Sequence, residues 1–536
     1  MLNNKKKRII YAKLLHFYIR SGWIRLKFSL DVGECTLQRL SLVLRSAVKK
    51  KQYDFSVTAH KLGNKIIYWA KLPLKQVEWE QFYWDIRGTI LMEGQVSELR
   101  IQNRSTLLKV FMLVRGKQIF LQEKKFVVYP YLTNSNDPAI QYRARSKQDN
   151  GWFVLKEYAA LLIYYLMRSY WLSKKIWLIY EKYSMTAQDN SFYFFRYCME
   201  HLSEKENRNI YYVIDRAASD YRYVRQYGSK VLQFLSLKHL IYLKAADLLI
   251  SSDTKAHAYA WHSPNTIYRV MIKRNKNVFL QHGVMYYKQC HRGLGKSGTN
   301  NCRLFIVSSE VEKKIIKKYF GYRNSEIAVT GLARWDALQD TSVSGEKMVL
   351  VMPTWRSWLE EVSEEEFTKS EYYRNYMSFL NNKSLHGYLQ EAGIKMVFYI
   401  HPKFREYINT FTVCSSQIEI VEFGKCPLNE MIMKCNMMIT DYSSACWDVF
   451  YQEKPILFYL FDYEMYDRIQ GSYVNMRTHA FGDTADTIDE VMTGLKYYNT
   501  QGFKEKEKFA AMREELLPYR DHLNCERIYR AIKKRL

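Results

Sequence analysis

The sequence predicts an α/β protein built from two Rossmann-type domains facing across a cleft, preceded by a β-rich accessory domain. Three observations carry that reading. Short apolar runs recur at strand–helix spacing from about Ile210 to the C-terminus, and a polar segment at Gln339–Glu346 divides them into two series. The first 130 residues or so follow a different pattern, with short alternating runs between polar turns. At 536 residues the chain has room for two to four domains, each with its own core.

The N-terminal domain, assigned to 1–135, opens on Lys5, Lys6, Lys7 and Arg8 and continues through runs such as DFSVTAH, KIIYWAKL and KVFMLV. A small β-sandwich fits this pattern. Lys13, His16 and Arg20 interrupt the first apolar run, and no small-residue cleavage site follows, so no signal peptide is expected. No stretch of eighteen apolar residues occurs anywhere, and no transmembrane helix is expected. The segment Trp152–Tyr183 is helical in pattern and aromatic-rich, broken by Lys156, Arg168, Lys174 and Lys175. It fits an interfacial helix on anionic head groups, or equally a core-facing helix with a basic solvent face.

The first Rossmann-type domain, assigned to 150–340, carries the runs IYYVI, VLQFL, DLLISS, NVFLQ, LFIVSS and IAVTG. The second, assigned to 341–536, carries KMVLVM, KMVFYI, IEIVEF, MMIT and PILFYL. Such runs at this spacing indicate parallel sheets covered by helices on both faces. The segment at Gln339–Glu346 is the expected hinge.

A net charge of +27 calls for an acidic partner: nucleic acid, an anionic lipid surface or a phosphate-rich substrate. With no RNP-type aromatic signature, zinc-finger spacing or helix-turn-helix pattern, nucleic acid is not expected. Nine scattered cysteines without a C-x-x-C pair argue against a disulfide framework and fit a reducing cytoplasm.

Ligands of open α/β sheets bind at the carboxyl ends of the strands. His282, Gly331–Arg334, Thr354–Arg356, His401 and Asp441–Ser444 all occupy such ends. The last is the most informative: a strand at Met437–Thr440, a polar turn of Asp441, Tyr442, Ser443 and Ser444, then a helix. Free backbone N–H groups and a helix dipole there suit a diphosphate. Helix capping by Asp441 and Ser443 is the plainer alternative. No D-x-D pair at a strand end presents a metal site, and neither metal nor cofactor is expected.

LQHGV at Leu280–Val284, VTGLARWDAL at Val329–Leu338, MPTWR at Met352–Arg356, IHPK at Ile400–Lys403 and ITDYSS at Ile439–Ser444 occur in that order. From about Lys175 onward this series resembles the CDP-glycerol:glycerophosphotransferase family, the teichoic-acid primases and polymerases of Gram-positive bacteria. Some relatives use CDP-ribitol or build capsular polymers. The resemblance implies a GT-B-type fold and displacement of CMP from CDP-glycerol or CDP-ribitol by a hydroxyl of a lipid-linked acceptor. It also implies a peripheral place at the cytoplasmic face of the plasma membrane.

By the same resemblance His282 is the candidate general base, with Gly283 allowing close approach. His401 would stabilise phosphate or protonate the leaving group, and the division between the two histidines stays open. Arg334 and Arg356 are candidate phosphate forks, each with a surface ion pair as its alternative. Thr354, Ser443 and Ser444 would surround the CDP diphosphate, and Asp441 would fix the turn, because a bare carboxylate repels phosphate. Gly283, Lys288 and Asn190 fall on the acceptor side, although Asp189 and Asn190 also read as a helix cap. Lys403 reads as a solvated charge. One departure matters: the family often has Arg-Gly-Phe-Tyr after its last strand, where this chain has Arg468-Ile-Gln-Gly-Ser-Tyr473. Either Arg468 substitutes from a shifted position or that phosphate contact is lost. A GT-B glycosyltransferase using a nucleotide sugar and a nucleotide-binding membrane scaffold without turnover remain alternatives. Glycerol against ribitol and primase against polymerase are open, with the basic face leaning towards polymerase.

Overall fold

The computed structural model describes residues 9–31, 35–46, 50–92, 94–108, 112, 119–133, 135–259, 268, 272, 274–298, 300–342, 346–360, 362–422 and 424–536. The basic start at 5–8 and residues 343–345 of the expected hinge lie outside them. Two compact units share the chain: Met1–Ala159 with Trp261–Met271, and Ala160–Ala260 with Ile272–Leu536.

Among its described residues the first unit holds eleven strands: β1 (Ile9–Arg20), β2 (Trp23–Asp31), β3 (Cys35–Leu44), β4 (Gln52–Asp54), β5 (Ser56–Leu62), β6 (Lys65–Pro73), β7 (Phe82–Met92), β8 (Gln95–Gln102), β9 (Ile119–Leu121), β10 (Phe126–Leu132) and β11 (Pro138–Ala144). They pair in the order β5-β6-β2-β1-β8-β7-β11-β10-β9, with β3 on β7 and β4 on β3. The β1–β2 hairpin turns on Ser21 and Gly22, both at positive φ, as a two-residue turn matched to strand twist requires. Alternation buries Ile24, Leu26 and Phe28 of β2 with Tyr68, Ala70 and Leu72 of β6 in one core that also takes in Trp84 and Ile86. The all-β region runs to Ala144, past the expected 135, because PAIQYRA pairs along its full length with FVVYPYL.

The stretch expected to be one helix from Trp152 to Tyr183 is instead α1 (Gly151–Leu166), a short helix at Arg168–Ser173, and a strand. Lys175, at φ 50, ends the helical part, and the branched and aromatic run after it extends as β12 (Trp177–Tyr180).

In the second unit β12 is joined by β13 (Ile210–Ile214), β14 (Val231–Gln233), β15 (Leu248–Ser251), β16 (Lys276–Phe279), β17 (Leu304–Val307) and β18 (Ile327–Val329). The order is β14-β13-β12-β15-β16-β17-β18, all parallel. A second parallel sheet follows: β19 (Lys347–Met352), β20 (Ile394–Tyr399), β21 (Ile418–Val421), β22 (Met437–Thr440), β23 (Ile456–Tyr459) and β24 (Asp483–Ala485), ordered β21-β20-β19-β22-β23-β24. Both sheets begin with the doubly wound order in which direction reverses between the first and fourth strands, where ligands of such sheets bind.

Two helices matter for the site: α2 (Asn190–Glu200), capped by Asp189, and α3 (Cys446–Tyr451). The chain ends in α4 (Asn524–Arg535), which returns to the first sheet and buries Ile528 and Ile532 in its core. Gly331 fits this crossing closely: it has φ +77, and a Cβ there would lie 1.9 Å from Asn524 Oδ1. The last helix therefore belongs to the first Rossmann half, not to the 341–536 domain expected from sequence. The described hinge residues are tied to the second half, through Thr341 N to Met433 O (3.0 Å) and Lys454 Nζ to Asp340 (2.9 Å). Among the described residues no helix is long and apolar enough to cross a membrane.

Candidate active site

His282 stands just beyond the carboxyl end of β16 on an exposed side chain. The residue before it, Gln281, is buried in the left-handed region at φ 62. Two hydrogen bonds hold it there: Asn190 Nδ2 donates to its carbonyl (2.8 Å), and its own Nε2 donates to Ile306 O (2.6 Å). Non-glycine residues keep such a conformation only where the surroundings enforce it. The loop beyond is pinned by the buried Glu312 carboxylate, which accepts from Met285 N (2.7 Å). Asp253, beyond β15, faces the same region. Burial pushes its carboxyl up, but the His257 imidazole (3.3 Å) and the His282 imidazole outweigh that and bring it down to about 2.

Arg334 links the two halves. Its Nε donates to Asp448 Oδ1 on α3 (3.0 Å), and its Nη1 donates to Asp189 Oδ1 (3.0 Å) and to the His282 carbonyl (3.2 Å). Its backbone N–H donates to Asn190 Oδ1 (2.9 Å). The phosphate contact expected of Arg334 is thus corrected: two carboxylates already occupy its guanidinium. Asn190 is fully buried and bridges Gln281 to Arg334, so it supports the His282 loop from behind and does not line an acceptor channel.

Arg356 is also corrected. Its side chain is 0% exposed and ion-paired to Asp462 (2.6 Å) and Asp441 (2.8 Å), and its Nη1 donates to the Thr354 carbonyl (2.6 Å). Tyr372 and Tyr442 cover its faces at 5.0 and 4.9 Å. Asp441 likewise fixes the turn and does not meet a ligand: its Oδ1 accepts from Thr354 N (2.8 Å) and Tyr442 N (2.6 Å). Arg356 and Asp441 thereby weld the loop after β19 to the turn after β22, the two strands flanking the switch point.

Ser443 is buried and Ser444 half-buried, and their amide N–H groups donate to no described residue. The helix behind them, α3, is only six residues long, so the dipole expected there is short. Gly283 packs against the turn, since a Cβ on it would lie 2.3 Å from Ser444 Oγ. The His282–Gly283 loop of one half thus meets the serine turn of the other.

Beside this junction sits a group of cations around Trp355, a residue that the sequence reading passed over although it lies inside the MPTWR run. Lys288 Nζ is 4.2 Å and Lys403 Nζ 4.0 Å from the ring centroid, and the His401 ring lies 6.2 Å away. Lys403 is exposed, as expected, and also pairs with Glu360. Lys288 has no ion-pair partner among the described residues, and burial first, then nearby cations, brings its ammonium down to about 8. Burial, then the charges of Lys288, Lys403 and Lys182, pushes the His401 imidazole down to about 3. His401 Nδ1 accepts from Lys403 N (3.2 Å), which leaves the ring proton on Nε2 as a donor. Electropositive and partly desolvated, this group suits phosphate.

The departure at 468–473 has a structural counterpart. Arg468 is exposed, while Gln470 to Tyr473 clasp the first half. Gln289 N donates to Gly471 O (2.9 Å), and Tyr473 OH accepts from Cys290 N (2.9 Å) and His291 N (3.0 Å). Among the described residues no group of three or more His, Cys, Asp and Glu side chains could hold a metal ion.

The sequence model of the CDP-Glycerol:Poly(glycerophosphate) glycerophosphotransferase family matches residues 163–534. The minor teichoic acid biosynthesis protein GgaB of Bacillus subtilis (strain 168) is 26% identical over 375 residues, which cover 67% of this chain and 40% of that protein. The teichoic acid ribitol-phosphate polymerase TarL of Staphylococcus aureus (strain NCTC 8325 / PS 47) is 23% identical over 292 residues, 49% of each. The chain thus spans half or less of the length of these two relatives. A solved structure of the wall teichoic acid polymerase TagF superposes with a TM-score of 0.51 at 14% identity, covering 71% of this chain and 98% of that one. The fold is GT-B-like, as the sequence implied.

Proposed function

Because the chain belongs to the CDP-glycerol:poly(glycerophosphate) glycerophosphotransferase family, we propose that it transfers a polyol phosphate from a CDP-activated donor to a hydroxyl of a lipid-linked teichoic-acid or capsular acceptor, releasing CMP. The observation that carries this reading is the junction of His282–Gly283 with the Ser443–Ser444 turn, together with the electropositive group that Lys288 and His401 form around Trp355. His282 takes the proton of the attacking hydroxyl. The oxygen then bonds to the phosphorus of the polyol phosphate as the bond to CMP breaks. His401, with its proton on Nε2, and Lys288 hold the phosphate oxygens, where charge builds. The serine amides suit the diphosphate, and the chain's own cations supply the countercharge without a metal. Arg334 and Arg356 act as positioning residues.

CMP release measured separately with CDP-glycerol and CDP-ribitol, each with a lipid-linked acceptor analogue, tests the reading. Acceptor-dependent release from one donor names the polyol. Turnover of UDP-sugars in place of both would assign the chain to glycosyl transfer. The Lys288 charge gives a pH signature. Below pH 8 the ammonium is protonated and holds phosphate, and above about 8 it loses its proton, so donor KM rises there. Lys288→Met should raise donor KM roughly tenfold at pH 7 and remove that rise, with the unfolding temperature unchanged.

The same reading places the chain at the inner membrane surface, peripherally. Along α1 an apolar stripe faces solvent, with Trp152 81% and Leu162 61% exposed and Leu155 and Leu166 between and beyond them. Lys156 and Arg168 lie close by in sequence. Aromatic and leucine side chains beside basic ones suit the head-group boundary. Trp152→Glu with Leu162→Glu should abolish flotation with phosphatidylglycerol vesicles while sparing CMP release with a detergent-solubilised acceptor. Unchanged flotation would remove α1 from the membrane contact.

A further inference from the structure

The β-rich unit carries a cationic surface of its own. On β2 the side chains of Trp23, Arg25 and Lys27 point away from the core that takes Ile24, Leu26 and Phe28. Register sets Arg25 directly opposite Lys71 of β6 on one side and Tyr18 of β1 on the other. It sets Lys27 opposite Trp69, and the Lys27 ammonium lies 4.0 Å from that ring, itself 48% exposed. The Lys71 ammonium reaches 5.5 Å from the Trp23 ring, and Arg20 stands opposite Trp23.

Like charges directly opposite on neighbouring strands weaken a sheet, yet nothing nearby neutralises this pair. Arg20, Arg25 and Lys71 form no ion pair with any described residue, and the one carboxylate in the outward rows of β1, β2, β5 and β6 is Asp31, at the far end of β2. The cations recur about 7 Å apart along a strand and about 5 Å apart between strands, with flat rings among them. Such a lattice answers a chain that repeats its charge, not a single anion. A membrane is the weaker match, because Lys27 and Lys71 sit over the two indoles and keep them from inserting.

We propose that the outer face of β1, β2, β6 and β5 binds an extended phosphodiester polyanion, and that its occupant is the polymer being built, which rests on the polyol-phosphate transfer reading above. Holding the product between additions would favour repeated addition to one chain.

The test uses the full chain without donor and lipid-free poly(glycerol phosphate) as the probe, in parallel with phosphatidylglycerol vesicles. Arg25→Glu with Lys71→Glu should weaken polymer binding at least about tenfold and make its salt dependence shallower by about two in log–log slope. Vesicle binding and CMP release with a single-unit acceptor should not change. Trp69→Ala, which leaves the net charge alone, should weaken polymer binding less. Arg25→Glu alone places a carboxylate opposite Lys71 and should not lower the unfolding temperature, which separates lost binding from lost fold. Polymer affinity equal to that of the parent overturns the proposal, as does a loss confined to vesicles, which would make the face a membrane contact. A parent that binds polymer through these residues but turns over neither CDP-polyol leaves the surface standing while the transfer reading falls.

Discussion

Replacing His282 with alanine is expected to lower CMP release by about 10²–10⁴-fold, the range a positioned general base supplies. Donor KM should move by only a few-fold, because the imidazole acts on the acceptor hydroxyl and not on the diphosphate. The structure gives the reason for so large an effect. The chain holds Gln281 at φ 62 by two buried hydrogen bonds, and Arg334 fixes the His282 carbonyl, so the ring is presented by a braced turn. Asp253, kept ionised through the working pH range, stabilises the imidazolium once it forms. Asp253→Asn should therefore lower kcat by a smaller factor than His282→Ala. His401→Ala should behave differently: its Nε2 proton serves the phosphates, so its loss should raise donor KM along with lowering kcat. Single-turnover CMP release by the three variants separates these roles. Wild-type turnover by His282→Ala would end the assignment of His282 as base.

Why the sequence pointed to the strand ends but misjudged the arginines follows from what each signal encodes. Strand periodicity is local, and the ligand-binding edge of a parallel sheet follows from it, so His282, His401 and the serine turn all lie at carboxyl ends of strands, the serine turn at the point where the second sheet reverses direction. Whether a guanidinium faces a ligand or a carboxylate depends on residues far along the chain. Arg356 meets Asp462, 106 residues away, and Arg334 meets Asp448, 114 residues away. No window of sequence contains those pairs. Trp355 was legible in principle, because it lies between Thr354 and Arg356, but an indole in a strand-end run reads as core until two lysines are seen beside it. Asp253 obeyed the strand-end rule that found the histidines, following DLLISS in the same manner. The return of α4 to the first half was not legible, since its periodicity fixes an apolar face but not the sheet that face covers.

Arg356→Met should destabilise the protein by about 3–5 kcal/mol, the penalty for leaving buried charge without its partner. The guanidinium is the only cation that the described ion pairs give to Asp441 or to Asp462. Without it the two carboxylates repel each other across a space lined by Tyr372, Tyr442 and Tyr466. Thermal unfolding of the variant against the parent measures the loss. Adding Asp441→Asn and Asp462→Asn to Arg356→Met removes the buried charge and should restore most of the stability. It should not restore turnover, because without the Arg356 ion pairs the loop after β19 is no longer bound to the turn that places Ser444 against Gly283. Recovery of both stability and turnover in the triple variant would mean that the ion pairs serve folding alone, and that the turn keeps its shape without them.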